Sequence, residues 1–351
     1  MTKLNLVVVG PGLIGKEHIR LIQKNQDSCL VAIVAPDHAH NHSLAKNLNV
    51  PLFYNLTSCL DLTLVDGVLI SSPNKFHAEQ AKECIQRNIP VFVEKPLTST
   101  VQEGVSLVKL AKKHGAKVLV GHHRAHSSIL REAKRIIQEG RLGRLVSITG
   151  NALFYKPEEY FLAGPWRTQP GGGPILINLI HEIGNLRSLC GEILAVQAFT
   201  SSSIRNFPVE DTVSINLKFE NGVLGNFILS DTAACAKSWE QTSRENPAYS
   251  TYPDEDCYVI SGTLGSLSIP SFRLKYYQNK AEASWWKKFQ EETIDIERKD
   301  PLACQLEHFI DVINGISTPL VSAEDGLQNL KVIEAISKSA IKNSIIFLKK
   351  N

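Results

Sequence analysis

Two residues in this sequence have the type and setting for proton transfer at a carbon–oxygen bond. His181 lies in "GGGPILINLIHEIGN" (171–185), where three glycines lead into an apolar run of helical length. Imidazole titrates near neutrality, so it suits removal of a proton from a secondary hydroxyl. Lys95 lies in "PVFVEKPLTST", just after a short apolar run. An ammonium there can donate a hydrogen bond to a substrate oxygen and stabilise the charge that develops on it. Taken alone, each has a plainer reading: a packed histidine on an apolar helix, and a surface lysine at a strand end.

The surrounding elements must position both. Over the first 122 residues, "LNLVVVG", "LVAIVA", "GVLISS", "PVFVEK" and "KVLVG" alternate with amphipathic stretches such as "HAEQAKECIQRN" and "VQEGVSLVKLAKKHG". Unbroken apolar runs mark strands buried on both faces, so the series predicts a parallel sheet with helices on both sides. Ligands of such sheets bind at the carboxyl ends of strands, where Lys95 stands. The first strand runs into "VVVGPGLIG", which supplies Gly10, Gly12 and Gly15 in G-x-G-x-x-G spacing. Gly10 allows the turn, Gly12 lets backbone N–H groups approach a pyrophosphate, and Gly15 permits close helix–strand packing.

The second strand of a dinucleotide domain is expected to end in an acid for the adenosine ribose. Here Ala35 stands at that end and Asp37 comes two residues late. A missing acid relaxes the exclusion of a 2′-phosphate, with His38, His40 and Lys46 close in sequence, so the cofactor is read as NAD or NADP with a slight lean to NAD. His38, His40 and His42 lack Cys or carboxylate partners at ligand spacing, so they predict a solvated loop and helix start and no metal.

After "GHHRAHSS" the texture changes. A helix over about 127–139 leads into "LVSITGNALFYK", a second helix follows Gly171–Gly173, and several strand candidates come next. Asn221-Gly222 in "FENGV" predicts a hairpin. Helices are expected at about 301–314 and 323–344. The second half thus reads as α+β with an antiparallel sheet. The domains are placed at 1–122 and 123–351, with the last helix able to pack back on the first.

Thirty-eight basic against 35 acidic residues give a net charge of +3, which leaves no footprint for nucleic acid or an anionic membrane. The amino-terminal apolar run is too short to span a bilayer, and seven scattered cysteines without Cys-x-x-Cys predict reduced thiols in a cytoplasmic protein.

In order along the chain, the glycine fingerprint, "SSPNKFHAEQA", "VEKPLTST", "GHHRAHSS", "YKPEEYFLAGPWRTQPGGGPILINLIHEI", "GTLGSL" and "EHFIDVINGISTPLVSAEDGLQNLKVIEAI" resemble the Gfo/Idh/MocA oxidoreductase family. The resemblance covers nearly the whole chain. It implies a Rossmann domain followed by an α+β domain with an open, mostly antiparallel sheet, a substrate pocket between them, and a homodimer or homotetramer. It implies that Lys95 and His181 are the catalytic pair, that the bond before Pro96 is often cis, and that the substrate is a polyol or sugar-like small molecule. The cofactor contacts are then read as Gly10, Gly12, Leu13, Ile14, Gly15, Asp37, Ser72, Pro73, Asn74, His77, Glu94 and Lys95.

Many members carry an aspartate four residues before the histidine, one helical turn away; here that position is Ile177. Asn178 shares the face of His181 in an ideal helix and is read as a substrate contact, while Glu182 is rotated away. Trp166, Arg167 and Arg124 are further substrate candidates. So is Trp239, with Glu240 and Asn246, from the polar, aromatic stretch "SWEQTSRENPAYSTYPDEDC". Function is expected to be NAD(P)-dependent hydride transfer at a secondary alcohol. Ile177 and Ala35 also fit a different class, a dinucleotide-binding sensor without chemistry.

Overall fold

Alternate side chains of β1 (Leu4–Val9) enter two different cores, Leu6 and Val8 one and Val7 and Val9 the other. Successive residues of a strand point to opposite faces, so burial of all four requires cover on both sides of the sheet. In the computed structural model, which describes residues 3–348, the first unit comprises residues 3–126 and 301–330. Residues 1, 2 and 349–351 of the expected domains lie outside the described residues.

This unit alternates strand and helix: α1 (Leu13–Lys24), β2 (Ser28–Val34), α2 (Ala39–Leu48), β3 (Leu52–Phe53), α3 (Leu56–Leu62), β4 (Gly67–Ile70), α4 (His77–Gln86), β5 (Val91–Glu94), α5 (Val101–His114) and β6 (Val118–Gly121). The six strands are all parallel, in the order β3-β2-β1-β4-β5-β6. The order reverses at β1, which puts the α1 turn at the point where doubly wound sheets bind ligands. The helix Pro301–Ile313 lies on the α1 side, with Phe309 fully buried and its ring 5.9 Å from that of Phe92. Truncating a buried phenylalanine of this kind costs about 3–5 kcal/mol, so the late segment is integral to the unit.

The second unit comprises residues 127–300 and 331–348. Its elements are α6 (Ser128–Gln138), β7 (Leu145–Leu153), α7 (Glu158–Leu162), α8 (Ile180–Cys190), β8 (Ile193–Ser201), β9 (Thr212–Phe219), β10 (Leu224–Ser230), α9 (Trp239–Thr242), β11 (Tyr258–Gly262), β12 (Gly265–Ile269), β13 (Arg273–Tyr276), β14 (Gln290–Thr293) and β15 (Ile346–Phe347). Nine strands form one sheet, β14-β13-β12-β11-β7-β10-β9-β8-β15, antiparallel throughout except for β7 beside β10. In β9, Val213, Ile215, Leu217 and Phe219 are buried while Ser214, Asn216 and Lys218 are exposed, so one face is covered and the other open. α6 and α8 share the core on the covered face. The Asn221-Gly222 hairpin is present, with Gly222 at φ 90°.

β14 and β15 were not expected. "QEET" is exposed along its length and carries no apolar pattern, and β15 is two residues long. The expected helices appear at 128–138, 301–313 and, as Ala323–Lys342, across the last turns of the chain. No helix among the described residues is long and apolar enough to cross a membrane.

The first unit also predicts its own acid limb. His126 is buried beside His308, with ring centroids 5.1 Å apart, and burial pushes its imidazole down to about 3. The unfolded chain takes up that proton near 6.5, so stability falls as pH drops below about 6.5 and continues to fall until about 3. His126→Leu should flatten this limb in urea-denaturation series across that window. An unchanged slope would show that His126 is not its source.

Candidate active site

The dinucleotide end is built from three glycines with different surroundings. Gly10, at φ 80°, turns the chain out of β1 against the backbone of Ser72. A Cβ at residue 15 would collide with the Gly10 carbonyl oxygen, so a glycine there lets α1 start close against the strand. A Cβ at residue 12 would meet nothing within 4 Å. Gly12 is the N-cap of α1, no side chain caps it, and the first turn holds no acid. The N–H groups and positive end of the helix are thus presented at an open cradle, which fits a pyrophosphate. Leu13 stands 91% exposed beside it and Ile14 is half-buried.

The ribose end departs from the usual pattern. Ala35 is buried and donates its N–H to Phe53. Asp37 follows on the exposed turn, where His42 Nε2 lies 2.7 Å from its Oδ1. His38 caps α2 and stacks on His40.

Beyond β4, Ser72 donates its hydroxyl to Gln80, and Pro73 precedes a short 3-10 turn, Asn74–Phe76. His77 was expected to contact the cofactor, but its two ring nitrogens lie 2.8 Å from the carbonyls of Pro96 and Ser72. It is a buried strut between the exits of β4 and β5. Glu94, expected to touch the cofactor too, is buried and turned to His18 and to the backbone N–H of Lys95. Lys95 itself is half-buried at the strand end, and the Lys95–Pro96 bond is cis. Arg124 is buried in the 3-10 turn His123–His126. Burial, and next the Arg124 charge, hold the neighbouring His123 neutral well below its usual range.

The histidine helix enters through a π-turn, Ile175–Leu179, before α8 begins. Its i→i+5 bonding changes the phase assumed for an ideal helix. Gly173 makes this entry possible: it adopts φ 80°, and a Cβ would lie 2.7 Å from the Glu210 carboxylate. That carboxylate accepts the Ile175 N–H at 2.9 Å, and burial raises its pKa. His181 is buried at 7% exposure near the start of α8. Glu182 points elsewhere, accepting the Tyr258 hydroxyl in the core, while Asn185 donates to the same oxygen at 3.0 Å.

Asn178, read as a substrate contact, has its amide oxygen engaged within the protein. Its Oδ1 accepts from Lys156 Nζ at 2.7 Å. Lys156, three residues beyond β7, is also 3.6 Å from Asp231 and lies over the Tyr160 ring. Arg205 shares Asp231 at 2.8 Å. Sequence reasoning missed this buried group, because one lysine after "FY" and one aspartate after "LS" carry no spacing signal.

Trp166 is 58% exposed on the 3-10 turn Pro165–Thr168. Arg167 stacks 3.9 Å over Tyr160 and donates to its carbonyl, so it braces this turn. Trp239 corrects the loop reading: it is 3% exposed, packs on Tyr258, and donates Nε1 to Glu245. Ser238 caps α9 there, which converts the start of the expected loop into helix. Glu240 follows in α9, and exposed Asn246 caps its own turn at Ala248.

The glycine geometry predicts opposite outcomes at two positions. Gly12→Ala should leave the melting temperature unchanged and weaken NADH binding by roughly tenfold or more, because the methyl occupies the cradle. Gly15→Ala should cost about 1–3 kcal/mol of stability or more. Thermal melts and NADH fluorescence titrations check both, and a Gly12→Ala chain with full NADH affinity contradicts the placement.

Residues 4–122 match the family model described as the oxidoreductase family with an NAD-binding Rossmann fold. Residues 130–268 match the Gfo/Idh/MocA C-terminal domain. The 2,7-anhydro-N-acetylneuraminate hydratase of Escherichia coli is 24% identical over 271 residues, 76% of this chain and 67% of that protein. Inositol 2-dehydrogenase 2 of Saccharopolyspora erythraea is 30% identical over 230 residues, 63% of this chain and 65% of its own. The WlbA dehydrogenase of Bordetella pertussis, solved with NADH and UDP-GlcNAcA, shares the fold with a TM-score of 0.78 at 24% identity, over 99% of this chain and 100% of that one. With both of its units matched in order, the chain belongs to the Gfo/Idh/MocA family of NAD-binding oxidoreductases.

Proposed function

We propose that this protein oxidises or reduces one secondary alcohol carbon of a cyclic polyol, sugar or related hydroxy compound. The observation that carries the reading is the open Gly12 cradle in the same sheet as Lys95, two strands away at the exit of β5. Gly10, Gly12 and the first turn of α1 would hold the dinucleotide phosphates. When bound, the nicotinamide supplies the hydride acceptor or donor.

The chain's own residues handle charge and protons. Lys95 donates a hydrogen bond to the substrate oxygen, which stabilises alkoxide character as the carbon–hydrogen bond weakens. His181 takes the hydroxyl proton in oxidation and returns it in reduction. Ile177 leaves no carboxylate one turn earlier to stabilise the imidazolium, so the Glu210 cap and the Lys156–Asn178 bond must hold the helix entry by other means. NAD is the favoured cofactor, because residues 35–50 contain no arginine to receive a ribose 2′-phosphate. The substrate class is supported by relatives named for inositol and for an anhydro sugar acid. The reading extends to a homodimer or homotetramer, as the family resemblance implies.

A panel of cyclic polyols and sugars with NAD, followed at the nicotinamide absorbance, tests the proposal. On a substrate that turns over, His181→Ala should lose roughly 10²–10⁴ in kcat. A loss below about threefold removes His181 from the proton step. Saturable NADH binding with no turnover of any panel member would favour the sensor.

A further inference from the structure

The two oxygens of the Glu94 carboxylate are committed in different directions. Oε1 lies 2.8 Å from Nε2 of His18, on α1, and Oε2 accepts the backbone N–H of Lys95 at 3.1 Å. Both partners are well sheltered, with side-chain exposures of 2% for His18 and 9% for Glu94. The His18 ring is fixed in turn by an edge contact to Phe92, 5.0 Å between centroids. Gly121 on β6 provides the seat, because a Cβ there would fall 2.9 Å from the Glu94 carboxyl carbon.

A carboxylate bound on both oxygens cannot rotate without leaving a buried donor unmet. It therefore locks the residue that follows it. α1 is also the helix whose first turn is the Gly12 cradle, so the same carboxylate connects that helix to the lysine strand.

We propose that Glu94 is a positioning residue, which fixes Lys95 through its backbone N–H and, through His18, ties it to the dinucleotide helix. Its value for turnover rests on the role given to Lys95 above, but the positioning itself is readable without a substrate. Glutamine is a sharp probe, since its amide offers one acceptor oxygen and turns an NH2 toward the second donor. Gly121→Ala attacks the same seat from the other side and leaves Glu94 in place.

The test uses the full chain and two readouts. Competitive acetic anhydride labelling across pH, read by peptide mass spectrometry, reports the titration and reactivity of the Lys95 amine. NADH fluorescence titration reports α1. Loss of the neighbouring negative charge in Glu94→Gln should raise Lys95 labelling at pH 8 by about threefold or more. NADH affinity should fall by roughly tenfold, the usual order for losing a group that orients a ligand-binding residue. Gly121→Ala, which keeps the charge but displaces the carboxylate from its seat, should lower NADH affinity in the same direction and raise Lys95 labelling by less than Glu94→Gln does. His18→Gln, which keeps an N–H donor, should stay near wild type, whereas His18→Leu should not. Wild-type labelling and NADH affinity in both Glu94→Gln and Gly121→Ala would overturn the proposal, however far the melting temperature falls. Lys95→Met separates the two ideas: unimpaired turnover on a true substrate, alongside shifted labelling in Glu94→Gln, would remove Lys95 from the chemistry and leave the positioning intact.

Discussion

α1 can begin where it does only because residue 15 has no side chain. The Gly10 carbonyl oxygen occupies the space a Cβ would need, and that approach sets the helix against the end of β1. Much of the first unit follows from this contact. The helix N-terminus, with Gly12 open in front of it, faces the point where the strand order reverses. Six residues into the helix, His18 meets Glu94, and Glu94 meets the N–H of Lys95. One steric allowance thus reaches from the Gly12 cradle to the backbone of Lys95 at the exit of β5.

The second unit secures its histidine by different means. α8 is anchored in the core by Glu182 and Asn185 on Tyr258, which leaves adjacent His181 to face another way. The π-turn before it is held by charge: Glu210 on the Ile175 N–H and Lys156 on Asn178, with Asp231 balancing Lys156 and Arg205. Lys156 and Asp231 are buried, so breaking that pair costs far more than the loss of a surface pair such as Asp37–His42. Such a network gives the helix entry a single arrangement where Ile177 stands at the position expected to carry an acid.

What was legible in the sequence follows from what each signal encodes. Strands buried on both faces write themselves as apolar runs, and glycine spacing writes a backbone approach, so the parallel sheet and the cradle could be read directly. The Asn221-Gly222 hairpin was legible for the same reason, since its φ values restrict residue choice. Contacts between distant residues leave no local trace. His77 looked like a ligand contact because it sits in the right motif, yet both its nitrogens serve the backbone. Trp239 looked like a loop aromatic because polar residues surround it in sequence, yet it fills the core against Tyr258. The π-turn was invisible because periodicity at 3.6 was assumed where hydrogen bonding follows i→i+5.

Hydride transfer between the dinucleotide and a substrate carbon leaves a label that can be followed. Stereospecifically deuterated NADH, incubated with the protein and the ketones of cyclic polyols and sugars, tests it most directly by mass spectrometry of the products. Deuterium is expected at a single carbinol carbon of a product, from one face of the nicotinamide only. Saturable NADH binding with no deuterium transferred to any member of the set would contradict it.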